Sequence, residues 1–430
     1  MNGMYSAFRE LLRSIYQKGF FHLFVSNVLI QIFAFASQLF VAGILQPDDI
    51  ARIKIIQTYL SVFSIVGAMG FANSTLKHCS ENRSDDQKFT LFYHALLFSV
   101  FSSAALYGII LLANKLELFS KDVLLCALLP LGLLPIITNT LFVVFVSFYQ
   151  AQKKMKTIAL LTGINKTLSI AGIVVFSCFW GIYGYYAAYN LGILIMLVAC
   201  FIIIIRTGKK VPSCFALQQL RSSLSLHWYC AKYSMLANFL ADTSMYVDII
   251  LISLFAVNLH EAGYYSFALT MTVVLRLFPS TVQQIAIPYF SSAYHKPVIM
   301  ENFRKYNRLL VVVIAVTFVI VIVLVPLFFH VFFAGKYNPS VKYFIPLAIG
   351  WSIAQLRQLQ SGAIFGLGKI KYITYNNLIS LIVNILVFYL AFSNWGLTGM
   401  AYASIFTSSL SWLINSFYLR KTFAGIPEVD

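Results

Sequence analysis

Two stretches of the chain share a pattern: Cys178-Phe-Trp-Gly-Ile-Tyr-Gly-Tyr-Tyr-Ala-Ala-Tyr189 and Ser393-Asn-Trp-Gly-Leu-Thr-Gly-Met-Ala-Tyr-Ala-Ser404. Trp180, Gly181 and Gly184 in the first stand 215 residues before Trp395, Gly396 and Gly399 in the second, half the length of the 430-residue chain. The register extends outward. At the same offset Lys154 meets Lys369, Lys156 meets Lys371, Ile158 meets Ile373 and Ala188 meets Ala403. The shared unit is a short basic turn, an apolar run, W-G-x-x-G, and a second apolar run. Glycine permits a tight reversal and, lacking a side chain, lets the next helix pack closely. Tryptophan suits the headgroup level of a membrane. W-G-x-x-G therefore reads as a turn used twice, and the chain as a duplication.

Composition says what these turns connect. The chain is 60% hydrophobic and 10% charged, with 39 Phe, against about a quarter charged in a soluble domain. A span needs roughly 20 mostly apolar residues. Such runs lie near 21–45, 55–76, 89–113, 123–149, 158–179, 185–205, 233–257, 263–287, 309–333, 343–365, 373–393 and 399–419. The expectation is an all-α integral membrane protein with twelve transmembrane helices. Pro130, Pro135, Pro279, Pro326 and Pro346 sit within spans and can kink them, and Pro279 with Pro288 interrupts the eighth. With a cytoplasmic N-terminus, 22 of the 31 Lys and Arg fall in cytoplasmic segments and 6 outside. That asymmetry supports an even count, N-in and C-in. It also accounts for the +17 net charge through contact with anionic phospholipids, with no need of nucleic acid.

The organisation follows. Residues 1–20, with Phe8, Leu11, Leu12 and Ile15 on one face, read as an amphipathic interfacial segment too polar for a cleavable leader. Residues 21–205 form an N-terminal lobe, 206–232 a polar cytoplasmic linker, 233–419 a C-terminal lobe and 420–430 a cytoplasmic tail. Six spans per lobe give both lobes the same orientation, related by pseudo-two-fold symmetry about an axis normal to the membrane. The six Cys lack C-x-x-C spacing. They read as buried apolar residues, not as a metal site or a disulfide framework.

Ionisable residues inside spans cost at least about 2.5–3.5 kcal/mol on insertion scales and mark function by default. Five qualify: Lys166, Asp242, Asp248, Arg276 and Arg357. One reading is structural, an ion pair of Asp248 or Asp242 with Arg276. The other is a polar, net positive cavity between the lobes for an anionic group, to which Arg suits phosphate or carboxylate. Lys166, Arg276 and Arg357, with Gln283, Gln284 and Gln355, are the cavity candidates. Asp242 and Asp248 are the candidates for conformational change or coupling to a proton or sodium gradient. No catalytic or metal-binding residues and no cofactor are expected.

With these features in place the sequence resembles the Wzx-type polysaccharide or O-antigen flippases of the MATE-like (MOP) exporter superfamily. The resemblance rests on the six-plus-six spans, the basic turn before span five, and G-x-x-G before span six. It rests also on Asp248, an apolar run, and Glu261-x-Gly263-x-Tyr265 opening span eight. The first half has a degenerate version, Leu45-Gln-Pro-Asp-Asp-Ile-Ala51, with alanine at the glycine position. The resemblance implies alternating-access transport of an undecaprenyl-diphosphate-linked oligosaccharide across the bacterial inner membrane, alongside other polysaccharide-assembly proteins. A MATE-like drug or cation exporter is the nearest alternative, but here buried bases outnumber acids. A polysaccharide polymerase or acyltransferase is less suited, because the external loops are short and no His sits beside a mid-membrane acid.

Overall fold

The computed structural model describes residues 33–206, 217–255, 258–291 and 296–426. The interfacial segment expected at 1–20 and the start of the first expected span lie outside these residues. Among the described residues the regular structure is helical. Helices α1 (Phe33–Ile44), α2 (Pro47–Ala68), α3 (Phe71–Ser80), α4 (Asp85–Lys115), α5 (Val123–Leu133), α6 (Pro135–Ala151) and α7 (Met155–Arg206) come first. Then follow α8 (Leu217–Phe255), α9 (Leu259–Thr272), α10 (Val274–Ser291), α11 (Lys296–Phe332), α12 (Val341–Gly366) and α13 (Ile370–Ala424). Among the described residues seven continuous helical stretches are long and apolar enough to cross a membrane.

Two of those stretches, in α7 and α13, are each twice the length a bilayer needs, and each reverses at one residue. Gly181 has φ 56 and ψ −137, and Gly396 has φ 59 and ψ −149. These dihedrals suit the first central position of a type II′ turn, which glycine adopts without steric cost. The second glycine of each motif has a different task. A Cβ on Gly184 would lie 2.0 Å from the Phe176 carbonyl oxygen, and one on Gly399 would lie 2.5 Å from that of Ala391. In both cases the carbonyl belongs to the residue eight positions earlier, across the reversal. Trp180 and Trp395 point outward, 61% and 72% exposed.

The 215-residue shift superimposes far more than the turns. It carries the end of α6, Ala151, onto the end of α12, Gly366, and the start of α7 onto the start of α13. It also lays α4 on α11. The described residues divide into two compact units, one within 33–243 with Ser253–Phe255, the other of Ser244–Ile252 and the described residues from Asn258 onward. In the first, α6 packs on α2, α3, α4 and α7. In the second, its counterpart α12 packs on α9, α10, α11 and α13. The first core gathers Phe92, Phe145 and Phe148, the first and last stacked 4.1 Å apart. The second gathers Phe290, Leu310, Leu359 and Ile364.

Several boundaries differ from the sequence expectation. Residues 217–232, expected in the linker, are the first turns of α8. His227 pins them to the N-terminal unit: its Nδ1 lies 2.8 Å from Ser74 Oγ and its Nε2 lies 3.1 Å from the Leu91 carbonyl oxygen. His94 Nδ1 meets Ser223 Oγ at 2.8 Å. These polar residues look like a linker because their partners are distant in sequence. The second expected span is broken at Met69 and Gly70, both with positive φ. A Cβ on Gly70 would lie 2.1 Å from the Ala231 carbonyl oxygen of α8, so the break marks a backbone contact. The fourth span divides at Pro135, as expected. The eighth breaks at Val273, nearly two turns before Pro279.

Both units tie the start of one helix to the start of another with an ion pair, and the charges are reversed. In the first, Arg52 of α2 grips Asp122, the N-cap of α5, through Nε and Nη2, both at 3.0 Å, and reaches Asp49 at 2.9 Å. Asp122 also accepts from the Leu125 N–H at 2.6 Å. In the second, Glu261 of α9 accepts from Lys342 of α12 at 3.1 Å and from the Tyr343 hydroxyl.

Candidate functional site

The predicted site residues fall into both units. In the N-terminal unit, α2, α3, α6, the second arm of α7 and α8 enclose a half-open cavity of about 330 Å³. Its walls carry Ser61, Ser64, Asn73, Asn139, Thr140, Tyr189, Asn238 and Asp242 among apolar residues such as Leu60, Ile65 and Val143. Among the described residues of the lining Asp242 is the charged side chain. The α8 wall is held by the Gly70–Ala231 approach and by a hydrogen bond from Asn73 to Ser234. Thr140 is buried, 2% exposed, and among the described residues neither its hydroxyl nor that of Ser64, both atoms buried, has a hydrogen-bond partner. Lys166, on the first arm of α7, is exposed and does not line this cavity.

The C-terminal unit holds Asp248, Arg276, Gln283, Gln355 and Arg357. Asp248 is buried; it accepts from the Tyr265 hydroxyl at 2.8 Å and from the Ile249 N–H at 2.8 Å. The helix axis places it seven residues from the end of α8 at Phe255. At 1.5 Å per residue that is about 10 Å from the end the sequence assigns to the external side. Arg276 is exposed near the start of α10, so the burial inferred for it from span position is not seen. Arg276 follows the turn at Val273, whose dihedrals remain αR, by three residues. Gln283 is half-buried, and the side chain of Gln284 lies outside the described residues.

Arg357 has the fullest surroundings. Its Nη1 donates to Ser411 at 2.8 Å, and Ser411 meets Ser380 at 2.9 Å. Asn415, fully buried, donates to the carbonyl oxygen of Arg357, to Gln360 and to Ser361, and accepts from Asn376 at 3.2 Å. Gln360 donates to Ser416 at 2.8 Å. Among the described residues no carboxylate forms an ion pair with Arg357. Neighbouring Gln355 is buried with its Oε1 unpartnered. A guanidinium held by hydroxyls and lacking a carboxylate is suited to an anionic group from outside the protein.

At the rim, electrostatics outside the spans are settled by these partners. Burial alone would raise the Asp122 carboxyl, but the bonds from Arg52 and from the Leu125 N–H outweigh it and hold it below the usual range. The Tyr343 hydroxyl, against a smaller burial effect and helped by Lys342, does the same for Glu261.

Sequence reasoning singled out Asp248 and Arg357 but missed their company. Ser411, Asn415, Ser380 and Tyr265 are unremarkable in a one-dimensional reading; their partners lie 17 to 58 residues away. The spacing of Asn376, Ser380, Ser411 and Asn415 on the two arms of α13 held the signal.

The comparisons with known proteins fit this architecture. A family described as polysaccharide biosynthesis protein matches residues 16–294. No curated protein matches the chain. Among solved structures, the chain is similar to an inward-facing multidrug resistance MATE family transporter of the MOP superfamily. The TM-score is 0.74 at 12% identity, over 92% of this chain and 95% of that one. It is also similar to the lipid II flippase MurJ in an inward closed conformation, with TM-score 0.72 at 15% identity, over 93% and 90%. At such identities the likeness is one of fold. The family match spans well over half of the chain, so this multi-pass membrane protein belongs to the polysaccharide biosynthesis protein family and has the fold of MATE transporters and MurJ.

Proposed function

We propose that the protein flips an undecaprenyl-diphosphate-linked oligosaccharide repeat unit from the cytoplasmic to the periplasmic leaflet of a bacterial inner membrane, by alternating access. The product would feed assembly of O-antigen or another surface polysaccharide. The observation that carries this reading is the family match over residues 16–294; the fold shared with a lipid II flippase supports it. In this reading the helices make twelve spans with both termini cytoplasmic, α7 and α13 supplying two each. Arg357 compensates the diphosphate or an acidic sugar, with Arg276 and Lys166 as further cationic contacts. Asp248 and Asp242 are the groups whose charge is linked to conformational change, through a proton or sodium gradient.

The test is reconstitution in vesicles loaded with the lipid-linked oligosaccharide of the producing strain, scored by access of an impermeant glycosidase. Transport that is present with the protein and lost with Arg357→Ala at normal protein level is expected. No difference between vesicles with and without the protein refutes the reading. A second reading, a MATE-like exporter of cationic compounds, draws on the carboxylate of Asp242 in the lining of the N-terminal cavity. Efflux of a cationic dye from the same vesicles, with no movement of oligosaccharide, would establish it instead.

A further inference from the structure

Three buried histidines from three helices of the N-terminal unit meet where α8 begins: His78 of α3, His94 of α4 and His227 of α8 itself. We infer that they form an acid-released strap, which holds the first turns of α8 against α3 and α4 while His227 is neutral and lets them go when His227 takes up a second proton. The hydrogen-bond partners fix the role of each ring nitrogen. His227 Nε2 faces an acceptor, the Leu91 carbonyl oxygen at 3.1 Å, so it carries the proton of the neutral ring. Nδ1 then accepts from the Ser74 hydroxyl at 2.8 Å. The neutral form of His227 thus satisfies both partners. His78 stands between two acceptors, with Glu81 Oε1 3.1 Å from Nδ1 and the Leu226 carbonyl oxygen 3.2 Å from Nε2. Only a doubly protonated ring serves both. Arg83 holds the Glu81 carboxyl below its usual range, which keeps that acceptor ionised. His94 adds a third tie, from Nδ1 to Ser223 Oγ at 2.8 Å.

A charge on His227 is poorly placed. The ring is fully buried, and the His78 ring lies 5.8 Å from it, centre to centre. The titratable groups on α3 and the turn after it are His78, Cys79, Glu81 and Arg83; on α4 they are Lys88 and His94, and on α8 Cys230. Lys77, Asp85, Asp86 and Arg221 are exposed at the margin, and Lys232 is half-buried. Glu81, the carboxylate bonded into the cluster, already serves His78 and Arg83. Burial without a counter-charge disfavours the charged form of a side chain. An exposed histidine takes up its second proton near pH 6.5. Docking that requires neutral His227 is therefore complete above that pH and weakens below it, by up to about ten-fold per pH unit. The consequence reaches the cavity, because Asn238 and Asp242, further along α8, form part of its wall. On the transport reading above, release of the strap slows transport; the docking equilibrium itself is independent of what is carried.

The experiment measures the distance between spin labels at Ser80→Cys and Ser225→Cys, two exposed serines at the end of α3 and on the strap. It uses the full chain in lipid nanodiscs, with the six native cysteines replaced by alanine, between about pH 8 and pH 5. One distance is expected at neutral pH. Below about pH 6.5 a second, longer distance should grow, its ratio to the first rising by up to about ten-fold per pH unit. His227→Gln keeps an amide donor for Leu91 and an acceptor for Ser74 but takes up no proton, and it should hold the neutral-pH distance throughout; His227→Asn replaces it if the glutamine variant does not fold. His94→Gln should retain the acid response. A distance that stays constant with pH in the parent protein overturns the strap, since a merely structural cluster gives that result. An acid response undiminished in the His227 variants, or lost only in His94→Gln, overturns the role of His227. An acid-released strap in protein that moves no lipid-linked oligosaccharide upholds this inference and overturns the transport reading, whereas transport without any release does the reverse.

Discussion

Replacing the four glycines of the two W-G-x-x-G motifs by alanine, one at a time, separates two kinds of cost. At Gly396 a Cβ would meet nothing within 4 Å, and at Gly181 only Leu45 Cδ2 at 3.9 Å. Space is available at both, so the cost is conformational. Holding a residue with a side chain in so sparsely populated a backbone region takes about 1–3 kcal/mol. At Gly184 and Gly399 φ is not positive, and the cost is steric. The Cβ would stand 2.0 Å from Phe176 O in one and 2.5 Å from Ala391 O in the other, against an ordinary contact of about 3.5 Å. The arms must separate by an ångström or more, or the turn must rebuild, for about 1–3 kcal/mol and more at Gly184, where the overlap is deeper. Gly163 and Gly108 are controls within helices, where an added Cβ meets nothing within 4 Å. Alanine there should stabilise by up to about 1 kcal/mol. The assay is the unfolding midpoint of purified protein in one detergent, with surface polysaccharide measured in parallel. The expected order, from most to least destabilised, is Gly184→Ala, Gly399→Ala, then Gly181→Ala and Gly396→Ala together, with the controls at or above wild type. Motif substitutions as benign as Gly163→Ala would refute the assignment of conformational and steric roles.

Other expectations follow from the same contacts. Asp122→Ala loses an N-cap and a paired guanidinium contact, together about 2–4 kcal/mol, whereas Asp122→Asn keeps the cap and loses the smaller part; equal losses would contradict the capping role. Because the Asp122 carboxyl is held below its usual range, its contribution is full above about pH 4 and is lost as pH falls through the lowered value. Asp122→Asn should therefore be less acid-sensitive than wild type in pH-dependent unfolding. Tyr265→Phe removes the hydroxyl donated to Asp248 and should cost about 1.5–3 kcal/mol if that carboxylate is ionised. A loss restored by Asp248→Asn in the same protein identifies the charge as its origin, and no restoration refutes it. Cys178 is exposed, two residues before Trp180. It should react with an impermeant maleimide in intact spheroplasts, and labelling only after permeabilisation would contradict the proposed orientation.

The local chemistry of this chain was legible in one dimension. Apolar runs and W-G-x-x-G reveal helices and reversals because each depends on neighbours within a turn or two: burial periodicity, a proline, a glycine. The 215-residue repeat was visible for the same reason, since equivalent turns need equivalent residues. Tertiary structure decided what depends on contacts between distant residues. The polar stretch before span seven is helical because Ser74 and the Leu91 carbonyl receive His227, and nothing in its own composition says so. Arg276 and Arg357 look alike as buried cations in the sequence. The first is exposed near the start of α10, while Ser411 engages the second. Asp242 and Asp248, six residues apart on one helix, fall into different units, one at the wall of a cavity and the other beneath Tyr265. Their separation is decided by which neighbours each face of α8 meets. A sequence records the charge of a side chain; its solvation and partners, which set the cost and the use of that charge, are properties of the packed helices.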